Sequence, residues 1–245
     1  MSNSKGYNTS KRSHRVKSRI NRLILERYAG TPARHAVILP STTACDVRIC
    51  RELGIYDDRT RFTIFERGLP SVSKESFIAR AGAAMRAAMG DGSWRLSDHL
   101  DGLFYCPLED QSSYLGNLSR YRGLVDFANY DTCSNYLQIL KWMPYHVAAL
   151  RPGAPFVLTL DADYSLRWDR DEIREMAGCR WPRGVEFVCD GDFEGAFSND
   201  ELLRDIDTRK IPGVISFLRR NGLRVEVAAR YRDHLPMMMF AGRKP

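Results

Sequence analysis

The chain has 245 residues, 44% hydrophobic and 27% charged, with 18 Gly and 11 Pro, proportions that exclude disordered, collagen-like and coiled-coil classes. No apolar run approaches the roughly 18 residues that span a bilayer, and the N-terminus lacks the apolar core of a secretory signal. The formal charge of +7 is concentrated: residues 1–34 carry nine Lys/Arg against the single acid Glu26, whereas the remainder has 28 basic and 29 acidic residues.

That charge break divides an N-terminal arm, residues 1–32, from a nearly neutral body, residues 33–245. Residues 1–13 are polar and read as a flexible tail. The stretch 13–28, SHRVKSRINRLILERY, sets Val16, Ile20, Leu23 and Leu25 among arginines and predicts a short basic amphipathic helix, ended by Gly30, Thr31 and Pro32. Arg12, Arg15, Arg19 and Arg22 follow spacings of three and four, so they line one helical face. With Lys11 and Lys17 they suit a nucleic-acid backbone, where each phosphate contact releases counterions. An acidic protein, an anionic membrane surface and plain solvation are the other readings of such an arm.

From residue 33 onward, short apolar runs alternate with helix-period stretches. HAVILP (35–40) predicts a buried strand and 43–53 a helix capped by Ser41 or Thr42. FTIFE (62–66) is a second strand and 73–89 a second helix. GLFYC (102–106) and GLVDFAN (123–129) are the third and fourth strands. A long helix follows at 132–150, with Pro144 a candidate kink. PFVLTL (155–160) is the fifth strand, 169–177 a shorter helix, and 185–189 an apolar piece of undecided type. Residues 198–221 read as helix with a break at Pro212–Gly213. Two final strands, 224–229 and 237–241, are separated by a turn too short for a crossover and must pair antiparallel. Strands alternating with helices mean a mostly parallel sheet covered on both faces. Six cysteines (45, 50, 106, 133, 179 and 189) have no CxxC spacing, so they predict core residues of a reducing, cytoplasmic protein, without a disulfide framework or zinc site.

An open parallel sheet closed by a C-terminal antiparallel hairpin resembles the Rossmann-like class I S-adenosylmethionine-dependent methyltransferases. The most specific match is HVAALRPGAPFVLTL (146–160). There Leu150, Arg151, Pro152 and Gly153 correspond to the family's helix-to-strand junction, and Ala154 replaces its second glycine. Pro152 stops the helix and Gly153 can take the left-handed turn.

The resemblance implies S-adenosyl-L-methionine as cofactor, lying across the carboxyl ends of the first strands. The first loop, Leu39-Pro40-Ser41-Thr42-Thr43-Ala44-Cys45, holds no glycine, so Pro40, Ser41 and Thr42 would face the ligand where bare backbone is usual; helix capping is the alternative role of the two hydroxyls. Glu66 closes the second strand, where the family places an acid on both ribose hydroxyls. Glu109, Asp110 and Gln111 follow the third strand at the adenine end, with helix capping the other role for Asp110. Asp126, Asn129 and Asp131 fall on the fourth strand, where the family's catalytic or substrate-positioning residues cluster; Asp131 is also a natural cap for the next helix.

The pairs Asp161/Asp163 and Asp190/Asp192 lack a metal-loop pattern and read as structural. The scattered histidines 14, 35, 99, 146 and 234 read as packed or surface side chains. Three functions fit the sequence: a methyltransferase acting on nucleic acid delivered by the arm; a methyltransferase-like nucleic-acid-binding or virion-associated protein without catalysis, which the missing glycines favour; and a small-molecule methyltransferase with a docking tail.

Overall fold

The elements of the computed structural model are, in chain order, α1 (Lys11–Leu25), β1 (His35–Ile38), α2 (Cys45–Glu52), β2 (Arg61–Glu66), α3 (Lys74–Met89), α4 (Leu96–His99), β3 (Leu100–Tyr105), β4 (Phe127–Asp131), α5 (Tyr136–Ala149), β5 (Pro155–Asp161), β6 (Glu186–Cys189), α6 (Ile211–Arg220), β7 (Arg224–Arg232) and β8 (Pro236–Arg243). The structure describes residues 11–39, 44–66, 72–90, 92–105, 119–131, 136–162, 179–189, 204–232 and 236–245, without the side chains of 11–15, 66, 105 and 136–142. The helix expected at 169–177 lies outside them.

Eight strands form one sheet in the order β3-β2-β1-β4-β5-β8-β7-β6. β1 pairs parallel with β2 and β4, β2 with β3, and β4 with β5. β8 runs against both β5 and β7. The short connection from β7 to β8 allows only this antiparallel return, and seating β8 between two partners extends both final strands beyond their expected bounds. The undecided stretch 185–189 contains β6, a four-residue edge strand parallel to β7 with Glu186 opposite Val227.

Alternating side chains put one apolar set on each face of the sheet. One face takes Val37, Ala128, Tyr130, Phe156, Leu158 and Phe240 and is covered by Met143 and Val147 of α5 and Ile211, Val214, Ile215 and Leu218 of α6. The other takes Ala36, Ile38, Phe62, Ile64, Phe127 and Val157, under Val16, Ile20 and Ile24 of α1, Val47, Ile49 and Cys50 of α2, and Met85 and Met89 of α3. Residues 16–28 therefore share the core of the body: their apolar stripe is buried by the sheet. Leu23, expected in that stripe, is 49% exposed, and Ile24 is buried in its place.

Local chemistry explains most boundaries. Ser73 caps α3, its hydroxyl accepting from the Ser76 amide at 3.1 Å. Lys244 Nζ donates to the carbonyls of Val147 (2.9 Å) and Leu150 (2.6 Å), closing the end of α5. Gly153 takes φ +78°, as the junction required. α2 departs from expectation: its cap position is Ala44, with no side-chain cap bond and φ +45°, a left-handed conformation that costs a non-glycine residue about 1–2 kcal/mol. Ser41 and Thr42 lie outside the described residues. The break expected at Pro212–Gly213 is absent. Pro212 and Gly213 instead lie inside α6, preceded by a π-helical turn at Ile206–Lys210; that wider turn absorbs the missing proline donor.

Candidate functional site

Parallel strands β1, β2, β3, β4 and β5 all end at one edge of the sheet, where ligands of open α/β folds bind. Ile38 of β1 is in register with Ile64 of β2 and with Asn129 of β4. Glu66 and Asp131 each lie two residues further along, so their backbones stand at the same level on either side of β1. Two strand spacings, about 10 Å, separate them. Pro40, Ser41, Thr42, Glu109, Asp110 and Gln111 lie outside the described residues, as does the side chain of Glu66.

Between these strand ends sits a buried polar cluster that the sequence did not announce. Lys17 Nζ of α1 donates to Asp131 Oδ2 at 2.5 Å, with side chains 12% and 3% exposed. One turn on, Asn21 Nδ2 donates to Asp46 Oδ1 in the first turn of α2. Asp46 also lies against Asp131. The Ser18 hydroxyl contacts Cys45 Sγ at 3.0 Å. Strand alternation places Asn129 on the same face as Asp131, toward α1 and α2, and its side chain is buried. Asp131 Oδ1 and Asn21 Oδ1 are buried and accept no hydrogen bond from a described residue. Asn21 and Asp46 are the residues sequence reasoning passed over. The usable signal was a polar Asn21 in line with Val16, Ile20 and Ile24.

Burial, then the Asp131 carboxylate, raises the Asp46 carboxyl to about 6, against the opposing effects of Lys17 and the Asn21 bond. A carboxyl whose folded value is raised contributes stability below its unfolded value, near 4, and loses it as pH rises through 6. Asp46→Asn is therefore expected to leave the melting temperature unchanged near pH 4 and to raise it by a few degrees at pH 8. Thermal denaturation of both proteins at the two pH values checks this; an equal difference at both would contradict it.

Asp126 requires correction. It precedes β4 at the amino edge of the sheet, the full strand length from Asp131. Its Oδ2 accepts from the amides of Arg34 and His35, each at 2.9 Å, and its Oδ1 pairs with Arg151 at 2.6 Å. It anchors the start of β1 and cannot reach a reaction at the carboxyl edge. Of the basic residues, Lys17 points into the cluster, Arg19 is exposed, and Arg22 pairs with Glu52 at the surface; the side chains of Lys11, Arg12 and Arg15 lie outside the described set.

The remaining candidates are structural. His35 contacts Thr63 Oγ1 at 2.8 Å and His99 the Thr60 carbonyl at 3.3 Å. His146 packs against Phe65 and Tyr130, and burial lowers its imidazole to about 3, which keeps it neutral. Lys210 donates to the Ala162 carbonyl at 3.0 Å, and Arg230 pairs with Asp207 at 3.1 Å, a charge-balanced network beside β5 and β7. Among the described residues no group of three or more His, Cys, Asp or Glu is arranged to hold a metal ion, and no helix is long and apolar enough to cross a membrane.

No protein-family model matches the sequence, and no curated protein matches it significantly. Solved structures do. The chain is similar to the [4+2]-cyclase SpnF, with 14% identity and a TM-score of 0.50 over 93% of this chain and 81% of that one. It is also similar to the 1,6-didemethyltoxoflavin-N1-methyltransferase of Burkholderia thailandensis (14%, TM-score 0.47, 93% and 77%). The N-methyltransferase NodS of Bradyrhizobium japonicum is a third (13%, TM-score 0.46, 96% and 98%). Identities this low speak to architecture alone. With its strand order, its antiparallel β8 between β5 and β7, and its helices on both faces, the chain has the Rossmann-like fold of the class I S-adenosylmethionine-dependent methyltransferases.

Proposed function

We propose that the protein is an S-adenosylmethionine-dependent methyltransferase acting on nucleic acid. The observation that carries this reading is the polar carboxyl edge: Glu66 and Asp131 level with each other across β1, with buried acceptors beside Asp131 still lacking donors. Apolar packing alone would not select two acids, a lysine and an asparagine there, since buried polar groups without partners are costly. In this reading Glu66 holds the ribose hydroxyls, the 40–42 backbone approaches the ligand, and Glu109, Asp110 and Gln111 stand at the adenine end. Asn129 is the β4 side chain left to orient the methyl acceptor. When bound, the cofactor supplies an electrophilic methyl group. The chain itself contributes positioning and exclusion of water, the latter helped by α1 lying over the edge.

The place of α1 also supports a nucleic-acid substrate. Its inner side bears Lys17 and Asn21, and its exposed side bears Arg19. A phosphate backbone following the outer side would run within about one helix diameter, 10–12 Å, of Asp131. Thiols at Cys45, Cys50, Cys179 and Cys189 are free, in keeping with a reducing compartment.

Calorimetry with S-adenosylhomocysteine tests the cofactor: binding is expected, and Glu66→Ala is expected to abolish it. No heat at millimolar ligand would overturn the enzymatic reading. Because residues 16–28 are built into the core, the substrate arm is tested by substitution, not deletion. Changing Lys11, Arg12, Arg15 and Arg19 together to Gln is expected to weaken single-stranded RNA binding and to flatten its salt dependence, by a slope of about 0.7 per lost phosphate contact. RNA binding without cofactor binding would assign the protein to the non-catalytic reading. An unchanged slope would remove the nucleic-acid substrate.

A further inference from the structure

Two acids and one lysine share the cluster at the end of β4. With both carboxylates ionised it carries one uncompensated negative charge, held away from water. Two of its buried oxygens, Asp131 Oδ1 and Asn21 Oδ1, receive no donor from a described residue. A buried acceptor left without a donor costs free energy that a ligand donor recovers. A compact cation with several N–H donors meets both requirements, and an alkylammonium group provides exactly three. Half of the receptor comes from α1, outside the β–α units of the sheet, at a place where the first loop supplies no glycine.

We propose that Asn21, Asp46 and Asp131 form the binding site for the α-ammonium group at the amino-acid end of the nucleoside ligand, with Lys17 holding Asp131 in position. The inference rests on the cofactor reading above and adds to it that α1 is a wall of the ligand site. Asp131 is then a ligand-binding residue, and the task of orienting the methyl acceptor falls to Asn129.

Two nucleosides separate this site from the rest of the pocket. S-adenosylhomocysteine carries the amino-acid end; 5′-deoxy-5′-methylthioadenosine keeps the nucleoside and thioether and lacks that end. Measured by calorimetry on the full chain, the first is expected to bind at least about tenfold more tightly. Asp131→Asn is expected to erase most of that preference by weakening S-adenosylhomocysteine about tenfold or more, with methylthioadenosine unchanged.

The wild-type protein offers a second measurement that needs no variant. Asp46 faces Lys17 and Asn21 from α1 and Asp131 from β4, with Cys50 on its own helix and Tyr56 just beyond it. Its carboxyl ionises near pH 6, so the affinity ratio of the two nucleosides is expected to rise severalfold from pH 5 to pH 7. Equal affinity for both in the wild type, an equal loss of both in Asp131→Asn, or a ratio flat with pH overturns the ammonium site while leaving the cofactor reading standing. Binding of neither overturns both.

Discussion

Gly242→Ala is expected to destroy the native C-terminal hairpin. A Cβ at this position would lie 1.9 Å from the Arg224 carbonyl oxygen, 2.8 Å from its carbon and 2.9 Å from the Val225 Cα. All three are backbone atoms. They belong to the place where the β7–β8 register shifts between Val225 and Val227, opposite Gly242. The extra residue of the bulge brings the β7 backbone over the β8 residue, and only a residue without a side chain fits beneath it. Relief would require undoing the bulge. That would slip β7 by one residue and turn Val227, Ala229 and Tyr231 away from the face they now fill.

A cost above about 4 kcal/mol follows from overpacking against a backbone that cannot yield. The expected result is loss of the cooperative thermal transition, or a melting temperature lower by more than about 10 °C. Gly102→Ala is the useful comparison: its Cβ would meet Tyr121 Oη at 2.3 Å, the far end of a side chain that can turn aside, so a smaller loss is expected. Equal, mild effects of the two substitutions would contradict the tight approach at Gly242.

Asp126→Ala is the second large effect. The buried carboxylate satisfies the amides of Arg34 and His35 and pairs with Arg151. Truncation leaves both amides without that acceptor, at about 1–3 kcal/mol for each buried unsatisfied group. Arg151 is half exposed, so its guanidinium can turn to water and adds little. A total of about 2–4 kcal/mol, or roughly 5–15 °C in melting temperature, is expected. The distinguishing measurement is affinity: since Asp126 lies at the amino edge, S-adenosylhomocysteine is expected to bind the folded variant as it binds the wild type. A selective loss of ligand affinity with intact stability would restore Asp126 to the site.

The contrast between Asp126 and Asp131 marks how far the sequence could be read. Both belong to one polar, apolar-flanked stretch, and in one dimension they look alike. Five residues along a strand, however, carry the chain from one edge of the sheet to the other, and only the pairing of His35 with its neighbours shows which edge is which. Lys17 was read as a phosphate contact because it stands among arginines. Its actual partner is 114 positions away, and no local pattern reports that. Ile24 and Leu23 are adjacent and equally apolar; the docking angle of α1 decides which of them is buried.

What the sequence determined alone is the local and the directional. The alternation of elements, the Leu150–Gly153 junction and the antiparallel final pair all follow from turn length, backbone conformation and side-chain periodicity, which act over a few residues. The tertiary structure decided whether the basic segment stands apart or forms part of the core, and which polar residues meet at the carboxyl edge. Those outcomes depend on contacts between distant segments. There, burying the apolar stripe of α1 brings Lys17 and Asn21 against two acids, and a buried charge is tolerable only where such partners converge.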